Sequence, residues 1–474
     1  AKLLMFMEKM LTGSICILLF VLRLSAQSTP FQLVYGAEGS QEVGTAALQM
    51  PDGHVYMLGN IQSDTTTGQD VLLVKVSPTG AIVWAKSYDN GQSEFAYDFI
   101  QEDDKFIIAG ESNVVNGFDK NAFVLKVDFD GNSLGFNVLG EPTKSEQFQS
   151  IAQTDLGYIA CGFITSDTGV GNDIFLYHFG DLLFDSWDRV LGVPVNDIGM
   201  AVAQLPNGNY AICGDRRVDS VTYNAFVMVL NNRGDILHET VIQSPFNGGS
   251  KNLTITDDGH ILVVGEMATA TSPAFDVFWT KLTPQAEVLW TTYVPSTDAS
   301  DAGFDLCQVN AGSFVITGYS FNETAANTDI VAISVDSLGE EVERKYFGGP
   351  GLDIAYDVKP ALSGGLLITG KTANPSHNDA ILIHDFLSLA TGTETIVPPV
   401  EELSVYPNPM RQTAILNLLE TWHGGTWQLV DDSGKLVLQG IVSQSLTLNG
   451  LPSGVYFLSV NKAGKKGVGR LVVL

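Results

Sequence analysis

Gly53-His-Val-Tyr-Met-Leu-Gly59, followed eleven residues on by Asp70-Val-Leu-Leu-Val-Lys75-Val-Ser-Pro-Thr-Gly80-Ala-Ile-Val-Trp84 and then Tyr88, is one unit of a pattern that fills most of this chain. A glycine closing a short apolar strand recurs at Gly59, Gly110, Gly162, Gly214, Gly265, Gly318 and Gly370, at intervals of 51 to 53 residues. A period of this size marks a repeat architecture, so the unit has to be read before the fold. The second copy divides into four strands: Ala96 to Gln101, Lys105 to Gly110, Ala122 to Asp128 and Ser133 to Leu139. Turn residues separate them, at Asp103-Asp104 and Asp130-Gly131, and recur as Pro51-Asp52-Gly53, Pro206-Asn207-Gly208 and Pro78-Thr79-Gly80. Short strands joined by such turns make an antiparallel four-stranded sheet.

Seven four-stranded units with a period near 50 fit the blades of a β-propeller, each burying its faces against its neighbours around a central channel. A β-solenoid has shorter rungs and needs no fourfold strand count. The seventh copy lacks a final strand after Phe386, whereas Phe31-Gln-Leu-Val-Tyr-Gly36 at the other end is a strand without a copy of its own. The N-terminal strand is therefore expected to complete the last blade and close the ring.

Residues 1–26 place Glu8 and Lys9 before an apolar run from Ile15 to Leu22 and end in small residues, the layout of a signal peptide cleaved between Ala26 and Gln27. The run is too short for a permanent membrane helix. Translation is expected to start at Met5, Met7 or Met10. The full chain holds 25 basic and 53 acidic residues, a net charge of −28. The charge is uneven: residues 27–400 carry −31 and residues 401–474 are near neutral. Such an acidic surface repels nucleic acid and anionic lipid and favours cations or basic partners. After cleavage the cysteines are Cys161, Cys213 and Cys307, an odd count without CxxC spacing, which argues against a disulfide framework or a zinc site. Cys161 and Cys213 precede repeat glycines and read as small core residues.

The quoted unit resembles the bacterial seven-bladed propeller repeat of the SBBP type over roughly residues 31–390, which implies a fold and no particular activity. Residues 391–402, rich in Thr, Pro and Glu, read as a linker. Beyond it stand Leu-Ser-Val-Tyr-Pro407-Asn408-Pro409, Trp427-Gln-Leu-Val-Asp431-Asp-Ser-Gly434-Lys435, Leu451-Pro-Ser-Gly454-Val-Tyr456 and Arg470-Leu-Val-Val-Leu474. These short punctuated strands describe a small β-sandwich. The colinear landmarks resemble the type A C-terminal sorting domain of the Bacteroidetes type IX secretion system. That resemblance makes Pro407, Asn408, Pro409, Gly434, Lys435, Gly454, Tyr456 and Arg470 the sorting signal, the type IX machinery a partner, and the cell surface or medium the destination. The expected fold class is all-β: a seven-bladed β-propeller over residues 27–390 and an Ig-like β-sandwich over residues 403–474.

Two acidic registers follow the repeat. Glu42, Glu94, Glu146, Asp197, Asp301 and Asp353 stand where first strands begin, and Asp70, Asp173, Asp276, Asp329 and Asp379 where third strands begin, with Asn121 and Asn224 in the remaining blades. First and third strands run the same way, which predicts that both registers share one face of the disc. A ring of carboxylates there would suit Ca²⁺, since hard cations take clustered oxygens. Repetition in nearly every blade favours a structural role, fixing turns through backbone N–H groups, and no cofactor is expected. Arg216-Arg217 reads as a solvated basic loop, and His54 and His260 as occupants of equivalent turns.

No Gly-x-Ser-x-Gly, His-Glu-x-x-His, phosphate-binding glycine loop or EF-hand pattern occurs, and no residue is assigned to catalysis. The leading expectation is a secreted or surface-attached binding scaffold for an extracellular glycan or protein. An extracellular hydrolase acting on polysaccharide or protein and a structural surface-layer component are the alternatives.

Overall fold

The computed structural model describes residues 30–387 and 401–473, apart from short loop segments at 63–67, 114–119, 142, 167–170, 181–185, 193–195, 220–221, 245, 269–273, 295–299, 323–326 and 374–376, and at 403–412, 418–425, 432–435, 443–444 and 463–464. Residues 1–26, where a signal peptide is expected, lie outside the described residues. The chain divides into two compact units, residues 1–389 and 390–474.

The first unit is a seven-bladed β-propeller. Strand β1 (Phe31–Tyr35) stands apart in sequence, and β2 (Gln41–Gln49), β3 (Val55–Gln62), β4 (Asp70–Val76) and β5 (Ile82–Tyr88) form the first blade in that order. Five more four-stranded blades follow, and the seventh is made of Ile354–Pro360, Leu366–Ala373, Asn378–Asp385 and β1. Strand β1 pairs antiparallel with the third strand of that blade, from Phe31 opposite His384 to Tyr35 opposite Ala380. The expected closure is therefore present. In the second blade the first three strands are longer than their apolar cores suggest, running Ser93–Glu102, Lys105–Asn113 and Lys120–Asp128. Main-chain pairing continues into polar residues that periodicity alone leaves in loops.

The repeat glycine has a specific cause. Each first strand carries a register shift at the same place, such as Gly44/Ala46, Ala96/Asp98 and Phe148/Ser150, and the repeat glycine of the second strand sits opposite its start. A Cβ at Gly59, Gly110, Gly162, Gly214, Gly265, Gly318 or Gly370 would lie 1.8 to 2.3 Å from a first-strand carbonyl oxygen. The bulge presses backbone against backbone, and only a residue without a side chain fits there.

The outer-strand aromatics join blade to blade. Trp84, Trp187 and Trp290 lie over the turn glycines Gly131, Gly234 and Gly339 of the following blade, and Phe31 lies over Gly80 of the first. These turn glycines have φ near +80°, so each supplies both the left-handed turn and a flat seat for a ring. Between blades the core is apolar: Leu58, Val71 and Leu73 pack with Phe99, Phe106 and Ile108 at the first boundary.

The second unit holds a five-stranded sheet and a two-stranded sheet. Trp427, Leu429, Leu448, Tyr456, Leu458 and Leu471 form its core. Glu401–Glu402, assigned to the linker by composition, pair in parallel with Gly467–Val468 of the final strand, because backbone pairing at a sheet edge does not depend on side-chain type. No helix among the described residues is long and apolar enough to cross a membrane.

Candidate functional site

The first-strand acids do not form an open ring on a face of the disc. Glu42, Glu94, Glu146, Asp197, Asp301 and Asp353 are at most 3 % exposed. Of the third-strand acids, Asp276 and Asp379 are buried, and Asp70, Asp173 and Asp329 are partly exposed. The registers do converge, but across blade boundaries. Asp379 of the seventh blade and Glu42 of the first lie against Gly36, and Asp329 and Asp353 lie against Gly348. Sequence placed both sets at one end of the strands; it did not show that the first strand of each blade packs under the third strand of the blade before it.

Most of these acids are anchored locally. The Ser40 hydroxyl donates to Glu42 at 2.5 Å, the Ser112 hydroxyl to Glu94 at 3.1 Å, the Glu141 N–H to Glu146 at 2.9 Å and the Gly349 N–H to Asp353 at 2.7 Å. Burial, followed by interaction with nearby Asp379, pushes the Glu42 carboxyl up despite its hydrogen bonds. Arg216 is not part of a solvated loop. It lies within the strand Tyr210–Arg217, donates from Nε to Asp197 at 3.2 Å and meets Glu239. Arg217 donates to the Asp219 carbonyl at 2.7 Å. Arg344 lies 3.7 Å from Asp301 and bonds Glu341. His54 and His260 each pair with the aspartate two residues earlier, at 3.0 and 3.1 Å. The three cysteines described are free and buried.

The central channel was expected from the repeat, but the residues that face it were not. It is a cavity of about 1050 Å³ lined by the first strands of all seven blades. The residue at each bulge faces it: Thr45, Tyr97, Gln149, Met200, Lys251, Phe304 and Tyr356. Two aromatic groups stand in this lining. Phe95 and Tyr97 have ring centroids 4.7 Å apart; Phe304 lies 5.5 Å from Tyr356 and 5.8 Å from Tyr319. Burial, and then the neighbouring Tyr319, push the Tyr356 hydroxyl up to about 12, so it stays a neutral donor. The bulge positions recur every 51 to 53 residues, which is a signal, but their side chains share no chemistry.

Charges along the channel are held in place. Lys251 lies between Asp215 at 3.4 Å and Glu266 at 3.2 Å. Burial alone would lower its amine, yet the two carboxylates outweigh burial and hold it above its ordinary value. Lys359 contacts Asp357 at 2.6 Å and Asp305 at 2.9 Å. Three aspartates staple neighbouring first strands: Asp98 accepts the Ile151 N–H at 3.0 Å, Asp305 the Val358 N–H at 2.8 Å and Asp357 the Ala47 N–H at 2.9 Å. Lys371 also lines the channel, with its amine lowered by burial.

In the second unit Gly454 opens the strand Gly454–Lys462 and is exposed, and a Cβ there would make only an ordinary contact at 3.6 Å. Tyr456 is buried in the core, and its hydroxyl donates to the Pro452 carbonyl at 3.0 Å, tying the strand to the turn before it. The Arg470 backbone pairs with Phe457 in the strand that carries the tail. Pro407, Asn408, Pro409, Gly434 and Lys435 lie outside the described residues. The family described as secretion system C-terminal sorting domain matches residues 404–474. The C-terminal unit is a type IX sorting domain. A sorting domain directs its cargo out of the cell and onto its surface, so the propeller is the passenger.

No curated protein matches the chain in sequence. Among solved structures it is similar to PorZ, a surface component of the type IX secretion system of Porphyromonas gingivalis, at 15 % identity and TM-score 0.42, covering 90 % of this chain and 59 % of that one. It thus spans well under two thirds of PorZ. It is also similar to a protein of unknown function from Dyadobacter fermentans, at 9 % identity and TM-score 0.41, covering 74 % and 97 % of the two chains. An α-L-arabinanase of Penicillium chrysogenum shows 11 % identity and TM-score 0.42, covering 75 % and 98 %. These are similarities of chain path only.

Proposed function

We propose that this protein is an exported binding protein of the cell surface, that its ligand seat is the central channel, and that the ligand is a glycan. One observation carries the reading: a cavity of about 1050 Å³ in which Phe95, Tyr97, Phe304 and Tyr356 stand among Gln149, Lys251 and Lys371. A sugar ring presents an apolar C–H face and a rim of hydroxyls. Such a surface calls for flat apolar walls interrupted by a few fixed donors and acceptors, the composition of a small-molecule site.

Binding is favoured over hydrolysis by how the channel carboxylates are used. Glycoside hydrolysis needs a pair of carboxyl groups turned to the substrate. Here Asp98, Asp305 and Asp357 accept backbone N–H groups of adjacent strands, Asp305 and Asp357 share one lysine, and the exposed Asp257 accepts the Gln308 amide at 3.2 Å. Groups occupied in this way hold the ring together.

The test is a screen of the purified chain against glycans, mucins and matrix proteins, repeated with Tyr97→Ala and Phe304→Ala. The expected result is glycan binding weakened about tenfold or more by each substitution, the size expected for losing a buried aromatic contact. Glycan binding indifferent to both variants, or turnover of a polymer, would overturn the reading.

A further inference from the structure

Four of the seven blade boundaries repeat one arrangement, and three depart from it, with Asp89, Gln243 or Val294 directly after the outer strand. Gly36, Gly140, Gly192 and Gly348 each follow an outer strand directly, and the third-strand side chain of the same blade folds over the glycine. A Cβ would lie 1.8 Å from Asp379 Oδ1 at Gly36, 2.0 Å from Asn121 Oδ1 at Gly140, 2.3 Å from Asp173 Oδ1 at Gly192 and 2.7 Å from Asp329 Oδ1 at Gly348. After β5, the residue in that position is Asp89. A third carboxylate thus replaces a bare glycine where two acids already meet.

Asp70, Asp89 and Glu94 bring one oxygen each within 4.8 Å of one another. At three other boundaries a basic side chain stands beside a register acid: Arg216 at Asp197, Arg344 near Asp301 and the His377 imidazole at Asp379. Among the described residues, no ion pair reaches Asp70, Asp89 or Glu94. Glu94 is fully buried; Oε1 takes the Ser112 hydroxyl, and the Asn90 backbone also bonds the carboxylate. Its Oε2 has no hydrogen-bond partner, as is true of one oxygen of Glu42, Asp301 and Asp353, but here two further carboxylates stand beside it. A buried carboxylate oxygen without a donor carries a full desolvation penalty unless a cation or proton occupies the site.

We propose that Asp70, Asp89 and Glu94 bind a divalent cation at the boundary of the first and second blades, and that the ion is Ca²⁺. The donor set is all oxygen, with no imidazole or thiolate to select zinc or copper. Calcium–oxygen distances of about 2.3–2.6 Å let one ion bridge ligand oxygens up to about 5 Å apart, which accommodates this cluster. Asp89 is exposed, so waters complete a coordination shell of six to eight that the three side chains only begin. In the absence of the ion, burial and neighbouring carboxylates push the Glu94 and Asp70 carboxyls up, so the site relieves a cost the fold already bears. The proposal does not rest on the glycan reading of the channel.

The experiment is calorimetric titration of CaCl₂ into the full chain stripped with chelator, alongside thermal melting with and without Ca²⁺. The wild type is expected to bind one Ca²⁺ with a dissociation constant between about 10⁻⁵ and 10⁻³ M and to melt higher in its presence. Asp89→Gly restores what four other boundaries carry, so it keeps the fold; affinity is expected to fall at least tenfold. Glu94→Gln is expected to do the same, and Asp173→Asn, at a boundary served by Arg216, to change nothing. No binding up to about 10 mM Ca²⁺, or unchanged affinity in Asp89→Gly, would overturn the proposal. Should Glu94→Gln fail to fold, Asp89→Gly and Asp89→Asn decide it.

Discussion

Asp357 Oδ2 accepts the backbone N–H of Ala47 at 2.9 Å, a hydrogen bond between residues 310 apart that joins the innermost strand of the seventh blade to that of the first. The same carboxyl group shares Lys359 with Asp305. Two carboxylates thus compete for one ammonium at the seam of the ring.

This competition makes the seam sensitive to pH. Burial first, and the charge of Asp305 after it, outweigh the pull of Lys359 and push Asp357 up to about 7. The folded chain then holds this proton more tightly than the unfolded chain. From the ordinary carboxylate range up to about pH 7, the contribution of Asp357 to stability falls as pH rises. Asp357→Asn keeps an oxygen for the Ala47 N–H and has nothing to titrate. Urea unfolding across this window should show wild-type stability declining relative to Asp357→Asn. A constant difference between the two would refute the assignment.

Removing residues 30–36 deletes β1 and leaves the third strand of the seventh blade as a bare edge. It also uncovers the seat of Phe31 on Gly80. The truncated protein is expected to melt at least about 10 °C lower and to aggregate, as unprotected edges do. An unchanged melting temperature would show that the ring does not depend on this strand.

A methyl group at Gly162 would lie 1.8 Å from the Gln147 carbonyl oxygen, and backbone cannot swing aside as a side chain can. Gly162→Ala is therefore expected to cost about 3 kcal/mol or more, at the upper end of overpacking effects. Gly208→Ala is the useful contrast, because no atom lies within 4 Å of its Cβ and only its φ of +81° resists. Denaturation midpoints of the two variants separate crowding from backbone strain.

Ending the chain after Leu389 removes the second unit and leaves the propeller whole. The truncated protein is expected to fold and to remain in the periplasm of a type IX-competent host, while residues 390–474 should carry an unrelated periplasmic protein outward. Surface display of the truncated form would separate export from the sorting domain.

The ring was legible because its cause is steric and repeats: a bulge needs a glycine opposite it, so Gly59 to Gly370 print the blade count directly. The closing strand was legible because Phe31 to Gly36 has strand character and no copy of its own. The lining of the channel was not. Tyr97, Lys251 and Phe304 share a position and no chemistry, and only the bulge, a backbone feature, turns them inward. Glu42 and Glu94 were visible as a register, but their burial depends on packing between strands of different blades. Arg216 was misread for a different reason, since its partner Asp197 is close only across the strand pairing within its own blade.

Joining β1 to the seventh blade also fixes an order of events. The first strand to be made finds its partner only after Asn378–Asp385 exists, more than 340 residues later in the chain. Each of the six preceding blades is built from contiguous sequence and needs only local encounters, whereas the last step must close a loop nearly as long as the whole propeller. The ring is thus assembled like a clasped bracelet, with every link in hand before the clasp shuts, and the slow step of folding falls at the seam held by Tyr35, Ala47 and Asp357.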